Sequence, residues 1–130
     1  METFGQDMDV GAPKQTIAAM DEYLFVSRPV GYVLDSDSIR ASAEQITSAC
    51  QDAGMKRVLI FGPRTYIRAS EDELADLARV YAEGGLKIAI VESHNAGSET
   101  TEFFRSAARE RGAAVQFFEA IREAADWLEA

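Results

Sequence analysis

The sequence predicts a mostly parallel α/β domain with the element order β-β-α-β-α-β-α-β-α, and three observations carry that expectation. Val58-Leu59-Ile60-Phe61 is a short, unbroken apolar run between Lys56-Arg57 and Gly62-Pro63, the pattern of a strand covered on both faces. A second run of this kind, Leu86-Lys87-Ile88-Ala89-Ile90-Val91, follows after one helix-length segment, which completes a βαβ unit. The segments around these strands repeat apolar residues with a helical period.

Met1 to about Lys14 has no periodicity and is expected to be a loose arm ahead of a single domain over residues 15–130. Thr16-Ile17-Ala18-Ala19-Met20 and Tyr23-Leu24-Phe25-Val26-Ser27 flank Asp21-Glu22 and suggest a hairpin. The second strand can continue through Pro29 to Leu34 after an irregularity. Pro29 lacks an N–H for a ladder, so it belongs at an edge or a bulge. Ile39, Ala43, Ile46, Cys50 and Ala53 then mark one helix stripe, with Asp37 or Ser38 as its cap and Gly54 as its stop.

After the central strand, Gly62 to Ala69 is expected to be a loop. Ser70-Glu71-Asp72-Glu73 reads as a capping box whose acids suit the positive end of a helix dipole. Leu74, Leu77, Ala78 and Tyr81 form the buried stripe, ended by Gly84-Gly85. Beyond the Leu86–Val91 strand, Glu92 to Gly97 is a loop and Ser98 caps a third helix, with Phe104, Ala107 and Ala108 inward and Gly112 at its end. Ala114–Phe118 is the last strand. Ile121, Ala125 and Leu128 line a closing helix, with Trp127 at the stripe's margin. Right-handed crossovers between sequential parallel strands put the connecting helices on one face. The other face is then partly covered, and apolar residues there favour a dimer or a docked partner.

Composition narrows the function classes. Thirteen Lys and Arg against 22 Asp and Glu give a net charge of −9, which repels nucleic acid and anionic membrane surfaces. A single cysteine, Cys50, leaves no internal disulfide, and a single histidine, His94, does not supply the usual zinc ligand sets. No leader pattern or membrane-length apolar run is present, so a soluble, cytoplasmic protein is expected.

Few residues suggest chemistry. Cys50 and His94 are the one thiol–base pair, but Cys50 lies on an apolar stripe where burial makes a thiol inert. Asp35-Ser36-Asp37 has the donors for a divalent ion, and helix capping explains it more simply. Ser70 suits a phosphosite only against the like charge of the acids that follow it. No Gly-x-Gly-x-x-Gly or other phosphate-cradling loop follows any strand. No catalytic residue, metal ligand or cofactor is therefore expected.

The remaining constellation lies in the loops beyond the carboxyl ends of the parallel strands, where open α/β sheets bind ligands. Gly62-Pro63-Arg64-Thr65-Tyr66-Ile67-Arg68 and Ser93-His94-Asn95-Ala96-Gly97-Ser98 follow strands expected to be neighbours. Arg64, Tyr66, Arg68, Ser70, His94, Asn95 and Ser98 are the candidate binding residues, because arginine clamps carboxylate or phosphate and helix starts offer N–H donors. The alternative is that Arg64 and Arg68 pair with nearby acids such as Glu71 and are simply solvated.

The element order resembles STAS domains, the family of sporulation anti-anti-sigma factors. It is closer to the divergent SpoIIAA-like branch called STAS/SEC14-like, whose function is unknown. Leu86–Val91, Phe103-Phe104, Arg111-Gly112-Ala113-Ala114-Val115-Gln116-Phe117-Phe118 and Glu123-Ala124-Ala125-Asp126-Trp127-Leu128 carry the resemblance, which covers roughly residues 16–130. It implies a mixed, mostly parallel five-stranded sheet with helices mainly on one face. It also implies a non-catalytic regulatory or binding module that acts on itself as a homodimer, on another protein, or on a small anionic ligand. Phosphorylated members resemble Asp-Ser-Ser-Gly at the start of the second helix. Arg68-Ala69-Ser70-Glu71 stands here instead, which counts against switching by serine phosphorylation. The SEC14-like side of the resemblance implies an alternative, a carrier of a small apolar or anionic ligand beneath the loops. A weak enzyme using His94, with Ser93 or Ser98 as the local nucleophile, is a further alternative.

Overall fold

The computed structural model describes residues 14–92 and 98–130. Thr16–Ala19 (β1) and Leu24–Ser27 (β2) form the expected antiparallel hairpin, closed where Met20 N–H donates to the Tyr23 carbonyl at 2.9 Å. Arg57–Phe61 (β4), Lys87–Val91 (β6) and Ala114–Phe118 (β7) add to β2 in parallel, so the main sheet runs β1-β2-β4-β6-β7. Two further strands, Val33–Leu34 (β3) and Tyr66–Ile67 (β5), pair in parallel as a separate ribbon.

The sequence expectation is corrected at this ribbon. Leu34 belongs to no continuation of the second strand, and residues 62–69 are not loop throughout. Tyr66 N–H donates to the Tyr32 carbonyl and Arg68 N–H to the Leu34 carbonyl, each at 2.8 Å, which pins the segment after β4 across the top of the domain. The chain turns at Pro63 and Arg64, directly after Gly62. A Cβ at Gly62 would stand 2.6 Å from Thr65 Oγ1 and 3.3 Å from Arg28 Cβ, so the chains meet at a distance only glycine permits.

The helices Ser36–Ala53 (α1), Glu71–Glu83 (α2) and Glu99–Glu110 (α3) connect sequential parallel strands. They share one core with Leu24, Val26, Val58, Ile60, Ile88, Ile90 and Val115, the strand residues of one parity. The opposite parity, Leu59, Ala89 and Val91, packs under Ile121–Glu129 (α4). That helix lies over β4, β6 and β7, and Phe25 and Phe61 beside it are half-buried with ring centroids 6.5 Å apart.

Helix ends follow local chemistry. Asp35, not Asp37 or Ser38, caps α1: its Oδ1 accepts from Asp37 and Ser38 N–H, and Ser38 Oγ accepts from Asp35 N–H. Any polar residue in Asp35-Ser36-Asp37-Ser38 has the chemistry for a cap, and the ribbon fixes the choice because Ser38 Oγ donates to the Val33 carbonyl at 2.6 Å. Gly54 ends α1 in the left-handed conformation, φ 66°. Ser70 and Glu73 form the expected reciprocal capping box of α2. Leu74, Leu77, Ala78 and Tyr81 are the buried stripe of α2, and Phe104, Ala107 and Ala108 are buried on α3 together with Thr101.

Two stripe residues differ from expectation. Ala53 is exposed because it is the last residue of α1, where the helix ends at Gly54. In α4 the buried residues are Ala124 and Leu128, while Ile121 is 38% exposed. Lys87 holds the end of this helix against β6: its Nζ sits 4.7 Å from the Trp127 ring centroid and donates to the Trp127 carbonyl at 2.7 Å.

Candidate functional site at the carboxyl ends of the strands

The segment after β4 alternates like the strand it contains. Thr65 is buried and Ile67 partly so, while Arg64, Tyr66 and Arg68 are exposed. Period-two geometry therefore places two cations and an aromatic ring on one outward side, above the carboxyl ends of β2, β4 and β6. Backbone bonds hold both ends of the stretch: Gly31 N–H donates to the Arg64 carbonyl at 3.1 Å, and Arg68 N–H is fixed to Leu34. Among the described residues, neither Arg64 nor Arg68 forms an ion pair with an acid, Glu71 included.

Ser70 follows directly as the N-cap of α2, and its Oγ accepts from Glu73 N–H at 3.2 Å. Glu73 in turn is held below the usual carboxylate range, first by a hydrogen bond from the Ser36 hydroxyl and then by the Ser70 N–H. Ser98 caps α3, accepting from Thr101 N–H at 3.1 Å. His94 and Asn95 lie outside the described residues. β6 itself ends at this same side, where Gly62 N–H donates to the Val91 carbonyl at 3.1 Å.

Beneath the outward side chains lies a polar cluster that the sequence did not announce. Arg28, at the end of β2, is 5% exposed. Its Nε donates to Gln15 Oε1 and its Nη2 to Ser42 Oγ, both at 3.0 Å, and its guanidinium lies 5.2 Å from the Tyr32 ring centroid. Ser42 Oγ also donates to Gln15 Oε1 at 2.8 Å, which ties β2, α1 and the segment before β1 together. Ser42 falls beside the apolar stripe of α1, so its burial was the available signal; Arg28 beside Pro29 gave none.

Arg28, Thr65, Tyr81, Glu92 and Thr101 line a cavity of about 30 Å³. It has room for a water molecule or two. Pockets that enclose small-molecule ligands are roughly ten times larger or more, so the described residues form no carrier's chamber under these loops. Burial pushes the Tyr81 hydroxyl pKa up.

The other chemical candidates separate from this end. Cys50 is buried near the far end of α1, and burial pushes its thiol pKa up, which suppresses the thiolate. Asp35 is occupied by its cap, and the Ser38 N–H bond lowers its pKa. No group of three or more His, Cys, Asp or Glu suited to a metal occurs among the described residues. No described helix is long and apolar enough to cross a membrane.

A mixed five-stranded sheet with three crossover helices on one face and a closing helix on the other defines this chain as an α/β protein of the SpoIIAA-like fold. Among solved structures it is similar to an uncharacterized protein of the DUF3478 family with a SpoIIAA-like fold from Shewanella loihica PV-4. The two are 23% identical with a TM-score of 0.56, over 90% of this chain and 93% of that one. No family model and no curated protein matches the sequence.

Proposed function

We propose that this chain is a non-catalytic binding module whose working surface is the outward side of the Arg64–Arg68 segment together with Ser70, the N-cap of α2. The ligand class is an anion: a carboxylate or phosphate group on a small molecule or on an acidic peptide segment. One observation carries the reading. Arg64 and Arg68 project from one side of a hydrogen-bonded ribbon, on either side of the exposed Tyr66, and neither guanidinium forms an ion pair among the described residues, on a chain of net charge −9. Guanidinium groups bind carboxylate and phosphate in bidentate fashion, and Tyr66 supplies a ring against which a ligand packs. Ser70 and Ser98 flank the proposed surface as the N-caps of α2 and α3, and His94 and Asn95, its other sequence candidates, lie outside the described residues.

The module is proposed to act as a regulatory domain through protein contact, either with a partner or with a second copy. The half-buried Phe25 and Phe61 and the exposed Ala18, beside α4, supply an apolar patch for self-association. The test of the main reading is titration of a fluorescent oligoglutamate peptide and of inorganic phosphate into wild-type and Arg64→Ala/Arg68→Ala protein. Loss of about tenfold in affinity supports the site; unchanged affinity removes it.

A further inference from the structure

The helix layer over the sheet is not closed between α1 and α2. A cavity of about 370 Å³ opens there, floored by Ile39, Ala43, Leu77 and Val80. A second cavity, of about 470 Å³, lies further along α1, toward Met55 and Leu86. Thr47 lines both, so the two cavities follow one another as a groove on either side of Thr47 along the pair of helices. At 1.5 Å per residue, the 13 residues of α2, the shorter wall, give it a length of about 20 Å.

The groove is charged at one end. Glu44 from α1 and Asp72, Glu73 and Asp76 from α2 line the first half, opposed there by Arg40. Arg79 holds Asp76 at 2.6 Å and Glu83 at 2.9 Å, and Glu73 is engaged in its cap. Glu44 and Asp72 are exposed and form no ion pair among the described residues. In the second half, Lys56 donates to the Gly84 carbonyl at 2.9 Å, so that cation is spoken for.

A cleft with an apolar floor in its first half, walled by two helices, suits an amphipathic helix laid along it. The acids select its charge: Lys or Arg over Glu44 and Asp72 is attracted, and an acidic segment is repelled. We infer that the α1–α2 groove receives a basic amphipathic helix from a protein partner, with its apolar face on Ile39, Ala43, Leu77 and Val80 and its cations over the acidic half. This surface shares neither Arg64 nor Arg68 with the anion site, and its charge preference is the opposite.

The probe is a fluorescein-labelled Leu/Lys amphipathic peptide of about 16 residues, compared with its Leu/Glu counterpart by anisotropy near physiological salt and by amide shift mapping. The Leu/Lys peptide is expected to bind and to shift amides of α1 and α2, and the Leu/Glu peptide to bind at least about tenfold more weakly. Glu44→Lys/Asp72→Lys is expected to lower affinity about tenfold, as is Thr47→Trp, which narrows the waist of the groove. Asp126→Lys/Glu129→Lys on α4 and Arg64→Ala/Arg68→Ala are expected to leave it unchanged. Absence of binding, equal loss in the α4 variant, or shifts confined to other surfaces would overturn the inference.

Discussion

The Arg28 guanidinium donates to Ser42 Oγ at 3.0 Å, with both residues buried, and so joins the end of β2 to the middle of α1. The contact lies directly under the proposed binding surface. Arg28→Ala would leave Ser42 Oγ without its donor, remove one of the two donors to Gln15 Oε1, and open a void. We expect a loss of about 2–4 kcal/mol in urea denaturation. Arg28→Met, which keeps the volume, should cost less. Equal stability of wild type and Arg28→Ala would mean that the cluster is not closed in solution.

Gly62→Ala tests the close approach that directs the chain from β4 to β5. The added Cβ would stand 2.6 Å from Thr65 Oγ1. Overpacking of this kind costs about 1–3 kcal/mol. The midpoint of denaturation should fall, and the amides of residues 64–68 should shift most. A fully stable variant with an unchanged spectrum would show that the turn has more room than described.

Ser70 has a structural duty that is separable from any modification. Ser70→Ala should destabilise by about 1 kcal/mol through loss of the N-cap, and Ser70→Asp should restore most of that because aspartate caps equally well. Thermal melts of the three proteins decide it. If Ser70→Asp were as damaged as Ser70→Ala, capping would not be the residue's main contribution.

Glu73 and Asp35 give the pH dependence a sign. Both carboxyl groups are held below their ordinary values of 4.5 and 3.8 by hydrogen bonds present only in the folded chain. A depressed pKa contributes stability above the unfolded value and loses it as pH falls through the folded one. Stability should therefore decline as pH drops below about 4.5, and Glu73→Gln should flatten part of that decline. A profile identical to wild type would remove Glu73 from the account.

Much of the fold was legible because it rests on short-range chemistry. Leu74, Leu77, Ala78 and Tyr81 repeat at helical spacing, Ser70-Glu71-Asp72-Glu73 spells its own cap, and Gly54 takes a conformation other residues avoid. The β3–β5 ribbon was not legible. Two-residue strands have no periodicity to detect, and their pairing joins Val33 to Tyr66 across a whole helix and strand. The inward turn of Arg28 escaped for the same reason, since its partners Gln15 and Ser42 are distant in sequence. Of the candidate surface, the sequence located the segment but not its alternation: the ribbon sends Thr65 and Ile67 inward and Arg64, Tyr66 and Arg68 outward.

Amide shift mapping during titration with an oligoglutamate peptide tests the anion-binding face most directly. The expected result is a set of saturable shifts across residues 64–70 and at the start of α3, abolished by Arg64→Ala/Arg68→Ala. Shifts elsewhere on the domain, or none at saturating peptide, would contradict it.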